Sequence, residues 1–231
     1  MGEGLFARED RNIDIVFCLD ITGDNSKLLK FFNENIEDLT IRLRDYFVDH
    51  IRIQLGRLRF KFIFFKDFAW DPDPLKATKF FRVPDHLEEL KAIMKTMDAQ
   101  GGGDTPESGL EALYLAMTSK WSQGIRDRQI IMLFTNSEAK DGCNDYTYDG
   151  IDYPFPGLCF ESLKKIWDEG SEDTQYLPQR TKRLIVYAPS GTLYDQIDEW
   201  ERAVHYDVDP ETEFASLDVD TIIHDIKNAL V

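Results

Sequence analysis

The chain is short of cysteine, histidine and positive charge, and it has no long apolar run. Its 3 cysteines, Cys18, Cys143 and Cys159, are odd in number. Their spacing contains no CxxC pair, which argues against a disulfide framework and a cysteine-based zinc site. His50, His86, His205 and His224 are scattered and form no cluster in sequence, so a histidine-centred catalytic site is not expected. Lys and Arg number 27 against 43 Asp and Glu, for a formal net charge of -16. Phosphate contacts need clustered basic residues, so nucleic acid is not an expected partner. The one dense basic stretch, Arg52 to Lys66, alternates with apolar residues and reads as the outer face of a strand. No segment reaches the ~18 apolar residues of a membrane helix, and the Met1 region lacks a signal-like run. No membrane contact is expected, and reduced thiols in the cytoplasm are the expected state.

The composition that remains is ordinary for a globular domain, with 42% hydrophobic and 30% charged residues. The 231 residues suit one α/β domain over 1–231, with a core at about 11–230. Ile13 to Leu19 is almost wholly apolar, as in a central strand covered on both faces. Leu28, Leu29, Phe32, Ile36, Leu39, Leu43 and Phe47 recur at helical spacing. Leu58 to Phe65 is a second strand, and Phe80, Phe81 and Val83 return beside it as one antiparallel edge strand. Leu87 to Met97 is a helix, and Pro106 with Glu107 marks the start of the next one. Ile130 to Phe134 is a strand, and a long polar loop follows at about 137–157. Leu158 to Trp167 and Leu193 to Val204 read as helices. Leu184 to Ala188 and Val204 to Val208 read as strands, and Val219 to Leu230 as the closing helix. The alternation predicts a doubly wound, mostly parallel six-stranded sheet with helices on both faces, and a ligand site beyond the carboxyl ends of its strands.

Three polar turns fall at that edge. Asp20, Thr22 and Asp24 alternate around Gly23, and their oxygens suit a hard divalent cation. Asp20-x-Thr22-Gly23 resembles the first metal-site motif of the von Willebrand factor A domain, in which Ser stands where this chain has Asp24. Gly101-Gly102-Gly103-Asp104-Thr105-Pro106-Glu107 resembles the second motif, in a hemicentin-like and intracellular bacterial form. Phe134-Thr135-Asn136-Ser137 resembles the third, where the family has Asp in place of Asn136. The element order extends the likeness over about 11–230. The resemblance implies a doubly wound fold and magnesium or manganese at the sheet edge, held by Asp20, Thr22, Asp24, Asp104, Thr105 and Asn136. Calcium becomes an option because three carboxylates would surround the ion. It also implies a partner protein docking through an acidic side chain. Some relatives work beside a kinase and a phosphatase in tellurium-resistance-like clusters.

Asp67 is expected on the same rim behind the ligands. Asp141, Tyr146 and Tyr148 are expected to meet the partner, since tyrosine-rich loops often make such contacts. The leading reading is a non-enzymatic binding module. Two alternatives stand beside it: a metal-dependent phosphohydrolase using Asp20 and Asp104 with an activated water, and a degenerate, metal-free scaffold suggested by Asn136.

Overall fold

The structure, a computed structural model, describes residues 11–50, 55–103, 105–142, 152–212 and 214–230, without the side chains of residues 24, 49 and 50. β1 (Arg11–Asp20) leads through a short 3-10 turn (Gly23–Asn25) into α1 (Ser26–Asp45), which ends in a π turn (Tyr46–His50). β2 (Leu55–Phe65), β3 (Leu75–Ala77) and β4 (Phe81–Val83) follow, then α2 (Leu87–Met94) and α3 (Gly109–Met117). β5 (Arg128–Phe134), α4 (Phe160–Glu169), β6 (Lys182–Ala188), β7 (Ala203–Asp207) and α5 (Val219–Leu230) complete the chain.

The strand order is β3-β2-β1-β5-β6-β7, with β4 also pairing β2. β1, β2, β5, β6 and β7 are parallel. The expected antiparallel edge is present, broken into two short strands. β3 pairs with Ile63 to Phe65 and β4 with Leu58 to Phe60. Among the described residues, seven strands therefore fill six positions across the sheet.

Alternation along β1 sorts the core into two layers. Ile13, Ile15, Phe17 and Leu19 belong to the layer of α1, α2 and α5, whereas Val16 and Cys18 belong to that of α3 and α4. The first layer is rich in phenylalanine. Phe17 meets Phe32, Phe60 and Phe62 at ring-centroid distances of 5.3, 5.4 and 5.0 Å. Such pairs add about 1 kcal/mol each beyond the area they bury.

Three local readings change. Pro106 does not open a helix, because α3 begins at Gly109 and Glu107 instead bridges to Ala139 as an extended residue. Leu193 to Val204 is not one helix either. A 3-10 turn (Leu193–Glu199) buries Tyr194 and Ile197, and Val204 already lies in β7. The spacing of apolar residues was satisfied by a tighter turn followed by a strand. Met97 likewise falls beyond the end of α2.

The register decides what gathers at the carboxyl edge. Asp20 pairs with Phe65, and Leu19 with Phe134. The chain leaving β1 therefore meets Asp67 after β2 and Thr135-Asn136 after β5. The sheet order reverses between β1 and β5, which is where open α/β sheets place ligands.

Candidate functional site

Asp20 is fully buried at the end of β1. Its Oδ1 accepts the Thr22 amide at 3.0 Å and the Thr22 hydroxyl at 2.7 Å, and its Oδ2 accepts the Thr135 hydroxyl at 2.7 Å. No cation is among these partners, and burial lifts the carboxyl above its ordinary range despite the hydrogen bonds to Thr22, Thr135 and Asn25. The Asn25 amide donates to the Asn136 Oδ1 at 2.7 Å and to the Thr22 hydroxyl at 3.3 Å. Asn25 Oδ1 is itself buried without a hydrogen-bond partner.

The glycine run forms the opposite wall. The Gly23 amide donates to the Gly101 carbonyl at 3.0 Å, which ties the first turn to the second. Gly102 sits at φ +71, and a Cβ there would lie 2.9 Å from Glu107 Oε1 and from the Thr22 side chain. A larger residue is thus excluded both by the left-handed backbone and by space. The Trp70 ring packs directly on Gly103 and is 54% exposed, so an aromatic face stands at the rim. Between these walls lies a cleft of about 150 Å³ lined by residues that include Thr22, Gly102, Thr105, Glu107 and Ser137.

Glu107 is the acid that the sequence reading passed over as a helix-start residue. Its backbone is clamped by the Glu138 carbonyl and the Lys140 amide, at 2.9 and 2.8 Å. Its side chain is buried, and Oε2 has no hydrogen-bond partner. Burial, then repulsion from Asp20, Asp67 and Asp71 set against attraction to Lys140, raises its pKa to about 9. Four carboxylates therefore share one neighbourhood, and Lys140 offsets part of their charge. Its ammonium holds Asp67 through both oxygens, at 2.8 and 2.6 Å. Asp71 braces the glycine run by accepting the Gly102 amide at 3.0 Å and the Asp67 amide at 3.2 Å.

The expected site residues separate into groups. Thr22 and Thr105 face one cleft, Asp20 lies directly behind Thr22, and Asn136 joins them through Asn25. Asp67 stands behind the rim as the partner of Lys140. Asp141 is placed elsewhere, where its Oδ1 accepts the Phe160 amide at the start of α4 at 2.8 Å. Asp104, Tyr146, Tyr148 and the Asp24 side chain lie outside the described residues. Among the described residues no group of three or more His, Cys, Asp or Glu is arranged to hold a metal ion. An ion in this cleft would therefore rest on hydroxyl oxygens beside a small number of carboxylates. The pattern Asp67-x-x-x-Asp71 with Lys140 had no visible signal, because it joins two separate loops.

Beyond the cleft, the long loop returns at Tyr153, whose hydroxyl donates to Glu111 Oε1 at 2.5 Å. Burial lifts Glu111 to about pKa 7, with the Tyr153 hydrogen bond acting against it. Phe68 and Phe155 flank the Tyr153 ring at 5.5 and 5.8 Å.

No protein-family model matches the chain, and no curated protein matches it in sequence. Solved structures do share its fold. The pilus adhesin SpaC from Lactobacillus rhamnosus GG aligns with 95% of this chain at 10% identity and a TM-score of 0.57. Proximal thread matrix protein 1 from the mussel byssus, in a structure with a zinc-occupied MIDAS motif, aligns with 93% at 12% identity and a TM-score of 0.53. The chain spans 31% of the first protein and 48% of the second. At these identities the likeness is one of fold: a mostly parallel sheet between two helical layers.

Proposed function

We propose that this chain is a binding module, not an enzyme, which docks another protein at the cleft above β1, β2 and β5 with a divalent cation in the contact. The observation that carries this reading is the buried, unpartnered oxygen of Glu107 beside the Thr22 and Thr105 side chains. Ionising this buried carboxyl is costly with only Lys140 to attract it, and a bound cation relieves that cost. The donors are all oxygen, which suits magnesium or manganese, and calcium at a more anionic site. Thr22 donates its hydrogen to Asp20 and so keeps a lone pair free. Thr135 fixes Asp20 from the other side, and Lys140 holds Asp67 behind the rim. When bound, such an ion supplies an open coordination position for an acidic side chain of the partner. The exposed Trp70 face offers that partner an apolar contact beside it.

The cytoplasm is the proposed compartment. Cys18 lies inside β1, and Cys159 uses its sulfur to accept the Ser162 amide at the start of α4. The Cys18 thiol donates to the Ala112 carbonyl, a role that uses the reduced form. No helix among the described residues is long and apolar enough to cross a membrane.

Thermal unfolding with millimolar magnesium, manganese or calcium tests the reading. A ligand at 100 times its Kd stabilises a protein by about 2.7 kcal/mol, so Tm rises measurably. Asp20→Ala abolishes the rise and also abolishes capture of an acidic partner peptide. Indifference to all three ions removes the metal from the reading. It would leave a metal-free scaffold, which the hydroxyl partners of Asp20 and the Lys140–Asp67 pair already support. Phosphoester turnover that vanishes in Asp20→Ala would replace binding with hydrolysis.

A further inference from the structure

We propose that a second cavity, beside the carboxyl ends of β6 and β7, binds an alkylammonium group. The cavity holds about 630 Å³, within the roughly 300–1,000 Å³ of small-molecule sites. That is far more room than a single metal ion needs. Its walls include Tyr187, Tyr206 and Phe214, and its acids are Asp207, Asp209 and Asp225. Every polar side chain in the lining ends in oxygen, and none carries nitrogen. The cavity is thus rich in acceptors and holds no cation of its own among the described residues.

Asp225 identifies the head-group position. It is 6% exposed, and Oδ2 accepts the Tyr187 hydroxyl at 2.5 Å. The Tyr206 hydroxyl also hydrogen-bonds this carboxyl, and neutral hydroxyls supply it no opposite charge. Asp220, five residues earlier on α5, has Arg42 as its ion-pair partner. The chain has therefore given the exposed acid of this helix a cation and the buried one only neutral hydroxyl partners. Tyr187 is stacked between Phe134 and Tyr206, with centroids at 4.7 and 5.3 Å, so the wall beside Asp225 is a preformed aromatic layer. Aromatic faces attract ammonium groups, and Val208, Phe214 and Leu217 offer apolar surface to the alkyl chain. The same chemistry arises from a free diamine or from a lysine side chain of another protein.

Calorimetric titration with 1,5-diaminopentane and with a short lysine peptide tests the site, with 1,5-pentanediol as the neutral control. At least one amine is expected to saturate a single site, while the diol does not bind. Asp225→Asn, which keeps an acceptor for Tyr187, is expected to weaken binding about tenfold or more with an unchanged circular dichroism spectrum. Should that variant fail to fold, Tyr206→Leu takes its place, with weaker amine binding expected. Tighter binding of the peptide assigns the amine to a partner protein, and tighter binding of the diamine assigns it to a free ligand. Either result supports the site. No saturable amine binding, equal binding of the diol, or undiminished affinity in the folded variant overturns it. None of these readouts involves a divalent ion, so failure here is separate from failure at the glycine cleft.

Discussion

β1 carries a fully buried aspartate near each end, and the two are treated in opposite ways. Asp14 is gripped by Arg59, whose Nε and Nη2 donate to its two oxygens at 2.7 and 2.6 Å. The Ser122 amide adds a third bond at 2.7 Å. Asp20, six residues on in the same strand, receives only hydroxyl and amide donors. Where a charge serves the scaffold, the chain supplies its own guanidinium in a paired geometry. Where it leaves a carboxylate without one, beside the unpartnered Glu107, the neighbourhood is organised for something that arrives from outside. Perturbed acids gather at functional sites for this reason.

The comparison breaks most visibly at its lower end. Arg59→Ala leaves Asp14 buried without its cation, and stability in urea unfolding should fall by about 3–5 kcal/mol. A loss below about 1 kcal/mol would mean that Asp14 needs no partner.

At the upper end the expected sign is the reverse. Glu107 has its pKa raised from 4.5 to about 9 in the folded chain. Between those values the folded state binds more protons than the unfolded state, so metal-free stability declines as pH rises through the window. Glu107→Gln should flatten that decline and raise stability at pH 8 by about 1–3 kcal/mol. Magnesium should flatten it in the unaltered protein as well, because an ion favours the ionised carboxylate. A pH profile identical in both proteins would show that Glu107 does not titrate there.

The smallest effect comes from removing one hydroxyl. Thr135→Val should destabilise by about 1 kcal/mol through loss of its bond to Asp20. The divalent response should persist, since Thr22 still orients the carboxylate. Loss of that response would make Thr135 part of the ion's own setting.

Much of this architecture was legible. The apolar runs Ile13 to Leu19 and Ile130 to Phe134 can be little else than central strands, and the turns after them had to lie at one edge. What escaped notice depended on contacts between distant segments. Glu107 reads as a helix cap until its backbone is seen clamped between Glu138 and Lys140. The Leu193 to Val204 pattern fits a helix period by coincidence, because a 3-10 turn and a strand present the same apolar residues in succession. Asp67 was expected on the rim, and the lysine that holds it lies 73 residues away in sequence. Asp14 sits inside an apolar run and gives no sign of Arg59, which comes from the neighbouring strand.

The bond between the Gly23 amide and the Gly101 carbonyl joins peptide groups, not side chains. This tie between the two turns is therefore made by main chain, with the Asp71 carboxylate bracing the glycine run behind it. Thr22, Thr105 and Ser137 can be exchanged over evolutionary time without moving the walls that carry them. A lineage built on this frame can retune which guest it accepts while the aperture keeps its width.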